Sequence, residues 1–494
     1  MEKVLIANRG EIAVRIIRTC REMGLATVAV YSEADRSALH TRYADEAVLI
    51  GPTSAAQSYL NIEAVLKAAR KTAATAVHPG YGFLSENPLF CQAVEAAGMI
   101  FIGPRAETMQ VLGDKISARR AARDAGLPVL PGPDQPLQDK FAVDQLPDEL
   151  TFPLLVKAAA GGGGKGIRLA RCLEELEGEI ELARAEAKGA FGDETIYLEP
   201  LVQRARHIEI QILGNGNGRV LALGERECSI QRRHQKLIEE APAPDLHPEE
   251  RACLVRAAVN LGRQLKYRSL GTVEFLRDAQ RQFYFIEVNP RIQVEHPVTE
   301  MITGIDLVRE QIQLALTGSL SLQQADIKSS GAAIEARILS ENPEENFLPT
   351  SGTISYLKEP GGPGIRVDSA LYQGMEIAVN YDSLIAKVIA WGRGRQQAIS
   401  RLQRALMELQ IGGLKTNLAF TLRILKSHPY QTGEIHTSLL DGFQAQIPLE
   451  ERIARDAALA ATLHLHRRRL PVGQNSPSTL SPWHEQAWRE QISG

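Results

Sequence analysis

The stretch GTVEFLRDAQRQFYFIEVNPR, residues 271–291, decides the reading of the central part of this chain. Its two arms alternate aliphatic and aromatic residues with polar ones, and a polar turn around Gln280 and Arg281 separates them, which is the pattern of a β-hairpin. Folding the stretch about that turn sets Glu274 opposite Glu287. Like charges directly opposite each other destabilise a sheet, so the pairing makes physical sense when a divalent cation shares the two carboxylates. Asn289, two residues past Glu287, returns to the same face and offers a third oxygen. An all-oxygen set favours Mg²⁺ or Mn²⁺. The alternative is a pair of solvated carboxylates on the outer face of a hairpin.

The segments on either side extend this reading. Downstream, NPRIQVEHPVTE (residues 289–300) crowds Arg291 and Glu295 into an exit loop. An arginine fork can hold a small planar oxyanion bidentately, and a nearby glutamate could remove its proton. Upstream, the glycine run Gly161–Gly164 follows an apolar strand, Leu154–Lys157. Without Cβ atoms its backbone N–H groups can approach a polyanion, and a triphosphate is the natural guest. The run is not a Walker A loop, because the lysine is not followed by a hydroxyl residue at the required spacing. Taken alone, it serves a flexible hinge as well. Lys115 in GDKISA and Lys157 frame the run as movable point charges for phosphate oxygens, although each by itself also reads as a solvated surface lysine. Mg²⁺ bridging phosphates under the glycine loop would meet the needs of phosphoryl transfer.

Farther out, the first hundred residues alternate short apolar runs (Val4–Ala7, Thr27–Tyr31, Ala76–His78, Ile100–Ile102) with amphipathic segments such as Glu11–Met23. That alternation predicts an open parallel sheet, with the glycine-rich HPGYGFLSEN (His78–Asn87) at a strand end where ligands of such sheets sit. From about Gly113 a helix (Lys115–Ala125) leads into strands separated by tight turns, among them Ile208–Leu213 and Arg219–Leu223. After Gly331 a further part opens with AAIEARIL and ends in helical Arg395–Glu408. The expected fold is α/β and α+β multidomain: an N-terminal open-sheet domain over 1–113, a central domain over 114–330 with a mobile lid at about 131–203, and a C-terminal mixed α/β domain over 331–446. Residues 447–494 read as a helical extension, Glu450–His466, and a tail carrying Trp483 and Trp488.

A length of 494 residues requires more than one core. A net charge of −3 gives no electrostatic pull toward nucleic acid or an anionic membrane. The five cysteines are scattered, without metal-ligand spacing, and imply a reducing compartment. With no apolar stretch of spanning length and no signal-like N-terminus, the expected location is the cytoplasm.

Taken together these segments resemble the biotin carboxylases of the ATP-grasp superfamily over about residues 2–445. The resemblance rests on IANRGEIAVRIIR (Ile6–Arg18), HPGYGFLSEN, GDKISA, KAAAGGGGKGIR (Lys157–Arg168), RHIEIQ (Arg206–Gln211), ECSIQRRHQKLIEEAPAP (Glu227–Pro244), FIEVNPRIQVEHPVTEMITGIDLV (Phe285–Val308), EARI (Glu335–Ile338) and YDSLIAK (Tyr381–Lys387). It implies that ATP binds Lys115, Lys157, Gly163, Gly164 and His207, with adenine against Glu199, Pro200, Leu201 and Val202, and with Gln231 and His234 lining the same site. Glu274 and Glu287, which also belong to the ATP site, would hold the metal with Asn289. Bicarbonate would lie on Arg291, Gln293 and the backbone of Val294, with Lys236 reaching the same anion. In the implied mechanism Glu295 deprotonates bicarbonate, which attacks the γ-phosphate to give carboxyphosphate. This breaks down to CO2 and phosphate, and the phosphate takes the ureido proton of biotin while Arg337 stabilises the oxygen that gains charge.

Two positions depart from the pattern. Pro200 stands where many relatives carry lysine, which puts nucleotide affinity in question, and Ala160 stands where some stand-alone subunits have glycine. None of the seven methionines precedes a lysine, so the biotin-attachment motif is absent and biotin is expected on a separate biotin carboxyl carrier protein. Carboxyltransferase subunits would complete the reaction, and the resemblance implies a homodimer. The expected activity is the first half-reaction of an acetyl-CoA or other acyl-CoA carboxylase, with a two-subunit pyruvate carboxylase as the alternative. Two other readings compete: a different ATP-grasp ligase lacking the role of Arg337, and a silent nucleotide-binding scaffold.

Overall fold

The apolar residues of the first strand, β1 (Lys3–Ile6), split between two cores, Leu5 into one and Val4 and Ile6 into the other. A strand buried on both faces belongs in a parallel sheet covered by helices on both sides. The computed structural model describes residues 2–132, 137, 146, 150–158, 167–443 and 457–462. β1 pairs in parallel with β2 (Ala26–Ser32) and with β4 (Ala76–His78), and the full order is β3-β2-β1-β4-β5, where β3 is Glu46–Gly51 and β5 is Ile100–Phe101. The amphipathic segment between β1 and β2 forms helix α1 (Gly10–Glu22). Strand order reverses between β1 and β4, which opens a crevice beyond their carboxyl ends. Asn8 closes the floor of that crevice by donating from Nδ2 to the carbonyls of Pro79 and Tyr81, each at 2.7 Å. Gly80 takes φ +65°, and a Cβ there would meet Asn8 Nδ2 at 2.9 Å, so the position requires glycine.

A three-stranded antiparallel sheet follows: β6 (Leu154–Ala158) lies between β7 (Ile167–Ala170) and β8 (Ile196–Pro200). Leu154, Val156, Ala170 and Leu198 pack there with Leu176, Ile180 and Ala183 of the helix that follows β7. Pro200 ends β8, an edge strand, where a missing N–H breaks no ladder bond.

The largest sheet has eight strands in the order β13-β12-β9-β10-β11-β14-β16-β15. In chain order these are β9 (Arg206–Asn215), β10 (Val220–Arg232), β11 (Gln235–Ala241), β12 (Arg268–Arg277), β13 (Phe283–Asn289), β14 (Ala332–Leu339), β15 (Ile365–Ser369) and β16 (Leu384–Gly392). The sheet runs unbroken across residues 330 and 331, where the sequence suggests a boundary, because β14 pairs antiparallel with β11. That pairing joins segments about ninety residues apart, which local periodicity does not encode.

On β9 the period of two sorts chemistry from packing. Ile208, Ile210 and Ile212 pack with Leu254, Ala258 and Leu261 of a helix over one face, and His207, Glu209 and Gln211 point to the other. All five cysteines are free thiols. Among the described residues no helix is long and apolar enough to cross a membrane. Residues 444–494 form a unit of their own, in which 457–462 are helical and the rest of the expected extension and tail lies outside the described residues.

Candidate active site

The hairpin expected from residues 271–291 forms, with β12 and β13 antiparallel and Glu274 directly opposite Glu287. Its turn is one residue off the centre that the sequence suggests, and Arg281 there takes φ +63°. A bulge compensates. Phe275 pairs with Phe285 and Glu274 with Glu287, so Ile286 is the extra residue. The bulge turns Phe285 and Val288 into the core while Glu287 keeps to the face of Glu274. Glu209 of β9 lies opposite Glu274 on the other side, so carboxylates stand side by side on three neighbouring strands.

Lys236 of β11 compensates this row. Its ammonium lies 2.7 Å from Glu209, 3.0 Å from Glu274 and 2.6 Å from Glu295. Burial alone would lower its pKa, but the three carboxylates raise it well above the ordinary lysine value. Arg226, fully buried, pairs with Glu209 from β10 and donates to Gln211, Thr272 and Thr299. His207 Nε2 lies 2.8 Å from Glu274, and Gln231 Nε2 lies 2.8 Å from His207 Nδ1. Burial opposes ionisation of Glu274, yet Lys236 and His207 hold its carboxyl below the usual range.

Glu295 sits at the N-cap of the helix His296–Thr303 and is fully buried. One oxygen meets Lys236, and the other meets Arg337 Nη2 at 2.9 Å. The two cations outweigh burial and hold this carboxyl well below the usual range. Arg337 also donates from Nε to Glu239 at 2.6 Å. Arg291 donates to Gln293 Oε1 at 2.8 Å and to Asn289 Oδ1 at 3.2 Å, and its Nε lies 2.7 Å from Glu86 in the HPGYGFLSEN loop. Gln293 in turn donates to Glu274 at 3.2 Å.

The nucleotide end lies on the small sheet. Lys157 Nζ lies 2.5 Å from Glu199 Oε2, and Arg119 takes the other oxygen. Burial would raise the Glu199 carboxyl, but Lys157 and Arg119 hold it down. Lys115 donates to Ala158 O at 3.5 Å; burial lowers its pKa, the charge of Glu287 raises it and Lys157 lowers it again. Leu201 N donates to Pro153 O at 2.9 Å, which leads the chain toward Val202 past the end of β8. His234 stands in the β10–β11 turn at φ +64°, where partial removal of its ring from water and the charge of Lys157 lower its pKa.

The structure therefore gathers Glu274, Glu287, Asn289, Arg291, Gln293, Glu295, Lys236, His207 and Gln231 on one sheet face, with Arg337 joined through Glu295. Lys115, Lys157 and Glu199 form the second group, linked to the first electrostatically through Glu287. Gly163 and Gly164 lie outside the described residues. Val294 contributes its carbonyl, which accepts from Lys387 at 2.7 Å. Sequence reasoning missed Glu209, Arg226, Glu86 and Glu239. Glu209 and Arg226 were within reach, since Glu209 shares the parity of His207 in RHIEIQ and Arg226 stands directly opposite it on the next strand; Glu86 meets Arg291 only through a tertiary contact.

The residues fit a divalent cation. Burial and Glu274 together raise the Glu287 carboxyl, and among the described residues its hydrogen bond is a long one, 3.4 Å from Asn289 Nδ2. Glu274 and Glu287 offer carboxylate oxygens, as Mg²⁺ and Mn²⁺ prefer, while Asn289 turns its Nδ2 to Glu274 at 2.8 Å and its oxygen to Arg291, so that a turn of the amide would bring a third oxygen to the pair.

Comparison with known proteins extends this picture. The family described as "Biotin carboxylase, N-terminal domain" matches residues 1–109, "Carbamoyl-phosphate synthase L chain, ATP binding domain" matches 114–323, and "Biotin carboxylase C-terminal domain" matches 335–442. The chain is 48% identical over 450 residues to a pyruvate carboxylase subunit of Methanothermobacter thermautotrophicus, covering 91% of each protein. It is 48% identical over 444 residues to biotin carboxylase 1 of Bacillus subtilis, covering 90% of this chain and 99% of that one. It superposes with a TM-score of 0.87 and 45% identity on the biotin carboxylase domain dimer of Hydrogenobacter thermophilus 2-oxoglutarate carboxylase, solved with MgADP, ADP and bicarbonate, over 89% of this chain and 97% of that one.

Proposed function

The chain belongs to the biotin carboxylase family, and from that premise we propose how its residues divide the work of ATP-dependent biotin carboxylation. The observation that carries the reading is Glu295 held between Lys236 and Arg337, beside the facing pair Glu274 and Glu287. ATP lies between the two groups of residues, with its phosphates toward Lys115, Lys157 and His207 and its adenine against Glu199–Val202, with Gln231 and His234 at the edge; Gly163 and Gly164 are the further residues assigned to it. Glu274, Glu287 and Asn289 hold Mg²⁺ or Mn²⁺, which when bound neutralises phosphate charge.

Bicarbonate rests on Arg291, Gln293 and the Val294 backbone. An anion that draws Lys236 toward itself takes a cation away from Glu295, and the carboxylate becomes a stronger base when it is needed. The bicarbonate proton passes to Glu295, and the freed oxygen attacks the γ-phosphorus as the bond to ADP breaks, leaving carboxyphosphate. Carboxyphosphate separates into CO2 and phosphate. The phosphate accepts the ureido N–H proton, the nitrogen attacks CO2, and Arg337 faces the ureido oxygen as it gains charge.

The biotin reaches the site on a separate carrier protein, with carboxyltransferase subunits as further partners and a homodimer as the working form. For the homodimer, the dimer formed by the biotin carboxylase domain of the Hydrogenobacter relative supports this. Acetyl-CoA or another acyl-CoA is the proposed final acceptor; equal identity to a pyruvate carboxylase subunit favours pyruvate as a second reading. Purified protein given ATP, Mg²⁺, bicarbonate and free biotin should release ADP only when bicarbonate and biotin are both present. Equal release without biotin would overturn the assignment.

A further inference from the structure

The proposed reaction gives no task to Lys387, although its side chain is fully buried in β16. Its register places it between Arg337 on β14 and Asp368 on β15. Nζ lies 3.1 Å from Glu11 Oε1 of α1 and 3.8 Å from Asp368 Oδ2, and donates to the carbonyl of Val294 at 2.7 Å. Glu11 is itself held by the hydroxyl of Tyr81. Burying an ammonium costs several kcal/mol, and an aliphatic residue would fill a β-strand position without that cost. What an aliphatic residue could not supply is the bond to Val294. That carbonyl belongs to the peptide joining Val294 to Glu295, and a peptide is planar, so a donor fixed on its oxygen also fixes Glu295 N and the direction in which the Glu295 side chain starts.

We propose that Lys387 is a positioning residue for the bicarbonate loop: anchored between Glu11 and Asp368, it clamps the Val294–Glu295 peptide so that the Glu295 carboxylate meets Lys236 and Arg337. The inference rests on the assignment of Gln293–Glu295 to bicarbonate chemistry. It makes the N-terminal helix α1 and the far strands of the large sheet a rigid support for a loop that neither of them belongs to.

The competing explanation is charge balance, with Lys387 neutralising Glu11 and nothing more. Lys387→Met and the double variant Lys387→Met with Glu11→Gln separate the two. In the double variant the Glu11 charge is gone, Asp368 keeps its paired bonds from Arg366, each 2.8 Å, and Glu335, the other carboxyl near Lys387, is pushed well above the ordinary carboxylate range by burial. Both variants should raise the bicarbonate KM at least about tenfold and lower kcat, with the ATP KM within about twofold of the unaltered protein, as misplacement of a reacting group predicts. Glu11→Gln alone should leave the bicarbonate KM within about twofold, because the glutamine amide oxygen can still accept from Lys387 and so keep it on Val294. Restoration of the bicarbonate KM in the double variant would assign Lys387 to charge balance and overturn the proposal. So would failure of both Lys387 variants to fold, which would assign the ammonium to the stability of the sheet. Unaltered protein is assayed alongside: if it shows no biotin-dependent ADP release, the functional reading falls and this inference with it, whereas normal turnover beside an unchanged bicarbonate KM in Lys387→Met sinks the positioning role alone.

Discussion

Glu239→Gln should make the protein more stable at alkaline pH and leave it unchanged at acidic pH. Glu239 is fully buried on β11, opposite Glu335 on β14. Its Oε1 accepts from Arg337 Nε, while its Oε2 is buried with no hydrogen-bond partner among the described residues. Burial pushes its carboxyl up to about 7, with Arg337 opposing and Glu295 adding to the rise. A folded value above the unfolded one contributes stability that is complete below the unfolded value near 4.5 and lost as pH rises through about 7. From 4.5 to about 7, at about 1.4 kcal/mol per pH unit, the loss is about 3 kcal/mol. Glutamine stays neutral throughout, and its amide oxygen can still accept from Arg337 Nε. Thermal melting of both proteins should therefore coincide near about pH 4 and diverge toward about pH 8, the variant melting higher by the equivalent of up to about 3 kcal/mol. Biotin-dependent ADP release should survive, because Arg337 keeps its acceptor. Melting curves that stay parallel from acid to alkaline pH would show that Glu239 does not carry this proton and would refute the reasoning.

Other expectations follow from the same geometry. Glu287→Gln removes one of the two facing carboxylates, so the Mg²⁺ concentration for half-maximal ADP release should rise at least about tenfold, while in chelator the variant should melt no lower than the unaltered protein because a repulsion has gone. Glu199→Gln leaves either Lys157 or Arg119 facing an amide donor, and the ATP KM should rise about tenfold while the bicarbonate KM, measured in the same assay, does not move.

Much of the site was legible in the chain itself. The parity of 271–291 predicts a hairpin with Glu274 facing Glu287, and the glycine-punctuated β/α rhythm of the first hundred residues predicts the parallel sheet; both form. Yet the carboxylates meet by a route that the pattern does not show. With the observed turn, a regular hairpin would set Ile286 against Glu274, and the bulge at Ile286 restores the pairing while turning Phe285 and Val288 into the core. A bulge depends on what the core will accept from both sides of the strand, and that is not a property of the strand's own sequence.

Residue identity and local period settle which side chains share a face, because successive residues on a strand alternate by steric necessity. They set the carboxylate pair on one face, and they singled out the glycine run and the two lysines as candidates for phosphate. Tertiary structure alone decided who stands against whom: Glu86 on Arg291, Lys236 on Glu295, and Lys387 under Val294. Each of these contacts joins elements far apart in the chain, and the last two put a charge on a side chain that is fully buried, Glu295 or Lys387. Burial, which sets the cost and strength of such pairs, arises only when the sheets and helices close over them.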